Sequence, residues 1–104
     1  MNHEVPDPFN SIIHSGPRIA ILIRLVRRGP MRLGELAKST GLTPGNVSAH
    51  LTVLESVDYV ERERLVQKVE APAIVRITAA GEMAFRAYVK SVREVLAEFE
   101  PPGF

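Results

Sequence analysis

A chain of 104 residues with 45% apolar and 24% charged side chains can bury one core, which points to a single domain. With no cysteine, disulfides, thiolate metal sites and thiol redox sensing are excluded, and the longest apolar run, Ile19 to Ile23, is far too short to span a membrane. Thirteen basic against twelve acidic residues leave a net charge of +1, so overall charge neither demands nor forbids a nucleic-acid partner.

Residues 1–8 are polar, carry Pro6 and Pro8, and show no secretory leader, since His3, Glu4 and Asp7 precede any apolar run. They are expected to be a flexible N-terminus of a cytoplasmic protein. Phe9 to His14 reads as a turn or short helix. Gly16 and Pro17 then start a first helix through Arg28, with Ile19, Leu22, Ile23, Leu25 and Val26 as its apolar stripe, and Gly29-Pro30 stop it. Arg24, Arg27 and Arg28 load its last turns, where positive charge suits the helix dipole.

Met31-Arg32 reads as an extended link. Leu33 to Thr40 forms a second helix, with Leu36 and Ala37 inward and Gly41 as its stop. Two or three residues later Thr43 offers an N-cap and Pro44 a first helical position. In the helix that follows, Val47, Leu51 and Leu54 make one apolar stripe. Opposite lie Gly45, Ala49, Thr52 and Val53, flanked by Asn46 and Ser48, all short and uncharged. An ordinary surface helix would carry Lys and Glu there, so this face is suited to close approach to another surface. Two short helices about a tight Gly turn predict a helix-turn-helix, whose second helix enters a DNA major groove.

Tyr59 to Val66 alternates, with Val60, Arg62, Arg64 and Val66 on one side and Tyr59, Glu61, Glu63 and Leu65 on the other. Ala73 to Ile77 is a second strand, and residues 67–72 make the hairpin tip. Thr78 caps a long final helix from Ala79 to about Glu98, and Pro101-Pro102-Gly103 end it. The order helix, helix, helix, hairpin, helix predicts a mainly α (α+β) winged helix-turn-helix with a two-stranded wing. Its expected parts are the winged helix over 9–78, the last helix over 79–100 and a tail over 101–104.

Four runs, I-H-S-G-P-R-I-A-I-L (13–22), L-T-P-G-N-V-S-A-H-L (42–51), Y-V (59–60) and I-T-A-A-G (77–81), resemble small one-domain winged-helix transcriptional regulators related to the MarR and ArsR groups. The resemblance covers roughly residues 9 to 99 and implies double-stranded DNA as partner. Members usually carry Lys or Arg along the recognition helix and wing. Here Pro44 to Glu55 has neither, and Lys68 at the wing tip is offset by Glu70. The Asp and His at ligand spacing that metal-sensing relatives use are absent, so neither metal nor cofactor is expected.

The expected DNA contacts are Thr43, Pro44, Gly45, Asn46, Ser48, Ala49 and Thr52 from the helix, with Arg64 and Lys68 from the wing. Asn46 suits a bidentate pair with adenine or a phosphate contact, and equally a capping role beside Thr43. Gly45 costs helix stability, which favours close backbone approach to DNA over mere first-turn tolerance. Ser48 and Thr52 can donate to phosphates or bases, or be ordinary surface hydroxyls. His50, at the border of the apolar stripe, reads as a partly buried, hydrogen-bonded histidine rather than a DNA contact or metal ligand. Cross-strand pairing with Glu61, Glu63 and Glu70 competes for the wing cations, and Arg62 is left open between the two roles.

In the last helix Phe85, Val89, Val92, Leu96 and Phe99 repeat at coiled-coil spacing, with Tyr88 and Val95 widening the seam. The stripe outlasts what three short helices and a hairpin can cover, so a second copy is the expected cover, giving a homodimer on a pseudo-palindromic site. The expected function is sequence-specific transcription regulation without catalysis, with any small-molecule effector unknown. A winged helix used for protein contact in a transcription or repair assembly is the alternative.

Overall fold

The structure, a computed structural model, describes residues 9–64 (Arg64 by its backbone) and 73–100. The expectations for residues 1–8, for Leu65, Val66, the hairpin tip with Lys68, and for the 101–104 tail lie outside the described residues.

Four helices and three strands follow in the order α1 (Gly16–Arg28), β1 (Met31–Arg32), α2 (Leu33–Thr40), α3 (Pro44–Ser56), β2 (Val60–Arg64), β3 (Ala73–Ile77) and α4 (Ala79–Ala97). This is the expected winged helix, with one addition. Met31-Arg32 is a third strand, pairing antiparallel with β3 through Met31↔Val75 and Arg32↔Ile74, so the sheet order is β1-β3-β2. Two residues are too few to show a period-2 pattern, which is why the link hides a strand.

Ahead of α1, the Asn10 side chain accepts from the amides of Ile12 and Ile13, closing the expected turn. Ser15 caps α1, and Pro17 stands in its first turn. The buried line of α1 is Ile21, Leu22 and Leu25, with Ile19, Ile23 and Val26 half-buried beside it, so Ile21, which the expected stripe left out, is part of the buried face. Arg24 reaches across to donate to the Ser39 carbonyl at the C-terminal end of α2 (3.2 Å), an orphan helix acceptor that needs a donor. Gly41 ends α2 at φ 74°, ψ 11°, the left-handed conformation that glycine adopts without steric cost.

Thr43 then caps α3, its hydroxyl accepting from the Asn46 amide at 3.1 Å. Val47, Leu51 and Leu54 are fully buried against α1 and α2, as their spacing requires. The helix ends in a Schellman turn: the Tyr59 amide bonds Leu54 O (2.9 Å) and the Asp58 amide bonds Glu55 O (3.0 Å). Asp58 occupies the left-handed position of that turn at φ 60°.

The start of α4 is fixed to this same turn. Thr78 donates its amide to Tyr59 O (3.0 Å) and its hydroxyl to Asp58 O, while Oγ1 accepts from the Gly81 amide (2.9 Å). Gly81 lies directly on the Tyr59 backbone. A Cβ there would run into Tyr59 O and stand 2.8 Å from its carbonyl carbon and 2.9 Å from Ile77 Cγ1. The Thr-x-x-Gly run is therefore a docking device for the last helix. Among the described residues, no helix is long and apolar enough to cross a membrane.

Candidate nucleic-acid interface

Burial of Val47, Leu51 and Leu54 turns the other side of α3 outward. Pro44, Gly45, Asn46, Ala49 and Thr52 are exposed and Ser48 is half-buried. Thr43 is exposed too, with its hydroxyl engaged as the cap. The Asn46 amide group thus serves the cap through its backbone, and its side chain has no intramolecular partner among the described residues. A Cβ on Gly45 would meet nothing within 4 Å. The protein's own packing gives no reason for glycine at this position.

Arg62 supplies α3 with the cation its sequence lacks. From β2 its side chain lies across the helix, with Nη1 donating to Ser48 Oγ (2.8 Å) and Nη2 to Thr52 Oγ1 (3.1 Å). Nε and Nη2 both donate to Glu55 Oε1, at 3.0 and 2.5 Å. Ser48, Thr52 and Glu55 are spaced four and three apart, so they line one face of the helix and accept the planar fork together. Sequence reasoning left Arg62 unassigned. The usable signal was its parity with Val60, which turns it toward the body of the domain, where a cation needs a partner.

Of the described hairpin side chains, Arg76, Glu61 and Glu63 pair within the sheet. Arg76 stands opposite Glu61, with Glu63 two residues along, and its guanidinium lies 2.7 Å from Glu63 Oε2 and 3.6 Å from Glu61 Oε1. Arg64 pairs with Ala73 at the last described rung of the hairpin.

His50 is half-buried, and its Nδ1 lies 3.1 Å from Arg18 Nη1. Arginine only donates, so Nδ1 accepts and the ring is neutral. Burial, and secondarily the Arg18 charge, hold the imidazole pKa below its ordinary value.

The seam on α4 divides in two. Phe85 and Tyr88 are each 7% exposed and belong to the domain's own core, which corrects the expectation that they await a partner copy. The Tyr88 hydroxyl lies 2.7 Å from His14 Nδ1, and burial raises its pKa. His14, in the turn before α1, thus meets Tyr88, a partner that a heptad count cannot see. Val92 is half-buried against the same core, whereas Val89 is 37%, Leu96 59% and Phe99 79% exposed.

Comparison with known proteins agrees with this geometry. The family model described as a winged helix DNA-binding domain matches residues 18–96. An uncharacterized protein of Methanocaldococcus jannaschii is 30% identical over 92 residues, spanning 88% of this chain and 96% of that one. The uncharacterized HTH-type transcriptional regulator YcgE of Bacillus subtilis is 36% identical over 74 residues, 68% of this chain and 48% of its own length. A solved transcriptional regulator homologue from Pyrococcus horikoshii OT3 superimposes with a TM-score of 0.81 at 26% identity, covering 88% of this chain and 91% of that chain. The chain belongs to the winged helix DNA-binding domain family.

Proposed function

We propose that this DNA-binding transcriptional regulator works as a homodimer on double-stranded DNA, with α3 in the major groove and the hairpin against the backbone or minor groove. It acts in the cytoplasm, on the nucleoid, by occupying a promoter site and changing access for the transcription machinery; no catalytic step and no cofactor is part of this reading. The observation that carries it is the outer face of α3. Among the described residues the Asn46 side chain has no partner, and Gly45 and Ala49 leave the backbone open to close approach. In this reading Asn46 reads a base edge, with Thr43, Pro44, Ser48 and Thr52 around it and Arg64 and Lys68 as backbone contacts from the wing.

The exposed part of α4, namely Val89, Leu96 and Phe99 with Val92 at its edge, is the proposed dimer seam. A two-fold dimer would set its recognition helices about one DNA turn apart, roughly 34–36 Å, and read a pseudo-palindrome. The competing reading, a winged helix that docks on protein, draws on the absence of Lys and Arg from α3. A salt titration of duplex binding decides between them: a few phosphate contacts per subunit give a log–log slope of roughly −4 to −8 for the dimer. Affinity indifferent to salt, or no retention on heparin, refutes the DNA reading.

A further inference from the structure

We infer that Arg62 is a positioning residue that makes Ser48 the hydrogen-bond donor of the α3 face and withdraws Thr52 from it. The inference deepens the proposed docking of α3 and rests on it. The proton count carries the argument. Arginine has five N–H donors and no acceptor, so both hydroxyls must accept from it. Thr52 Oγ1 accepts from Nη2 and donates its own proton to Ser48 O at 3.1 Å, which leaves it no proton for an outside partner. Ser48 Oγ accepts from Nη1 at 2.8 Å, and its proton has no acceptor among the described residues.

A hydroxyl that accepts from a cation becomes a stronger donor, because the two bonds polarise each other. Ser48 therefore faces outward as a donor, matched to an acceptor on the DNA: a purine N7 or O6, a thymine O4 or a phosphate oxygen. Glu55 makes this arrangement durable. It takes two of the guanidinium protons and balances the charge, so Arg62 is held on the helix rather than drawn off to the nearest phosphate. The two otherwise similar hydroxyls, four residues apart, are thereby given different roles.

A double-mutant cycle on the full chain tests this, using a duplex selected from a random pool by the unmutated protein. Ser48→Ala is expected to weaken binding about 5- to 30-fold, within the range for losing one hydrogen bond to a charged or polarised group. Arg62→Met should cost a similar factor, and the double variant no more than the larger single one, because Arg62 acts through Ser48. The salt slope of Arg62→Met should match that of the parent. Relaxed preference at one base pair in Ser48→Ala identifies a base edge as the acceptor; a uniform loss on all duplexes identifies a phosphate oxygen. Either supports the inference. Additive losses, or a slope flattened by about 0.9 per half-site, mean that Arg62 touches phosphate itself and overturn it. So does Thr52→Val costing more than Ser48→Ala. Should Arg62→Met melt before binding can be measured, Arg62→Lys, which keeps the charge but not the fork, carries the same cycle. Failure of the unmutated protein to bind any duplex overturns the docking reading and this inference together, whereas binding with an uncoupled cycle overturns this inference alone.

Discussion

Replacing Gly81 by Ala isolates the contact that fixes α4 to the rest of the domain. Two of the three atoms a Cβ would strike belong to the Tyr59 backbone, and that carbonyl is already held by the Thr78 amide. The obstruction cannot rotate away as a side chain would, so the helix or the Schellman turn has to shift. Overpacking of this kind costs about 1–3 kcal/mol, and an immovable backbone places it at the upper end. Alanine returns about 0.5–1 kcal/mol through its better helix propensity. The net expectation is a loss of about 2 kcal/mol, which for a domain of this size lowers Tm by roughly 8–16 °C. Urea and thermal unfolding followed by circular dichroism measure it directly. Gly45→Ala is the internal control, since its added Cβ meets nothing and the same propensity term should stabilise that variant. A Gly81→Ala protein within ~0.5 kcal/mol of the parent refutes the argument.

Gly45→Ala should also separate folding from binding, raising the unfolding midpoint while weakening duplex affinity; unchanged affinity on a gel shift removes the close approach at this position. Asp58→Asn or Asp58→Gly relaxes the left-handed residue of the Schellman turn, and chemical denaturation should show a gain of about 0.5–1 kcal/mol. His50 gives a pH dependence of definite sign. Its folded pKa lies below the ordinary 6.5, so its contribution is intact above that value and is lost as pH falls from 6.5 through the depressed folded pKa. The parent should therefore lose more stability than His50→Gln over that acid interval in parallel urea titrations. Leu96→Glu combined with Phe99→Glu should give a folded monomer by light scattering with most duplex affinity lost, and a parent already monomeric at micromolar concentration removes the dimer.

What could be read from the chain beforehand was whatever local spacing encodes. Val47, Leu51 and Leu54 declare their buried face by period, and Thr43-Pro44 and Thr78 declare helix starts by capping chemistry. What spacing does not encode is the partner reached across the fold. The seam in α4 is continuous in sequence, yet Phe85 and Tyr88 are buried in the domain's own core, Tyr88 against His14 of the turn before α1, and the distal part of the seam stays exposed. In the same way α3 reads as lacking a basic residue because its cation comes from a strand fourteen residues past Ser48. Met31-Arg32 had no pattern to read at all, being a strand only by virtue of β3.

That short strand bears on how the protein would meet its site. β1 runs into Leu33 and the helix-turn-helix, and through β3 it is hydrogen-bonded in one sheet with β2, the other strand of the wing. The two parts expected to touch DNA thus share one frame, and the loss of translational and rotational freedom on association, some 4–15 kcal/mol, falls once for both. A frame of this kind has a fixed span. With α3 seated in a groove, the protein sets where the described strands of the hairpin lie, so sequences would differ in how readily the duplex deforms to meet them. Selectivity would then extend to base pairs that no side chain reaches.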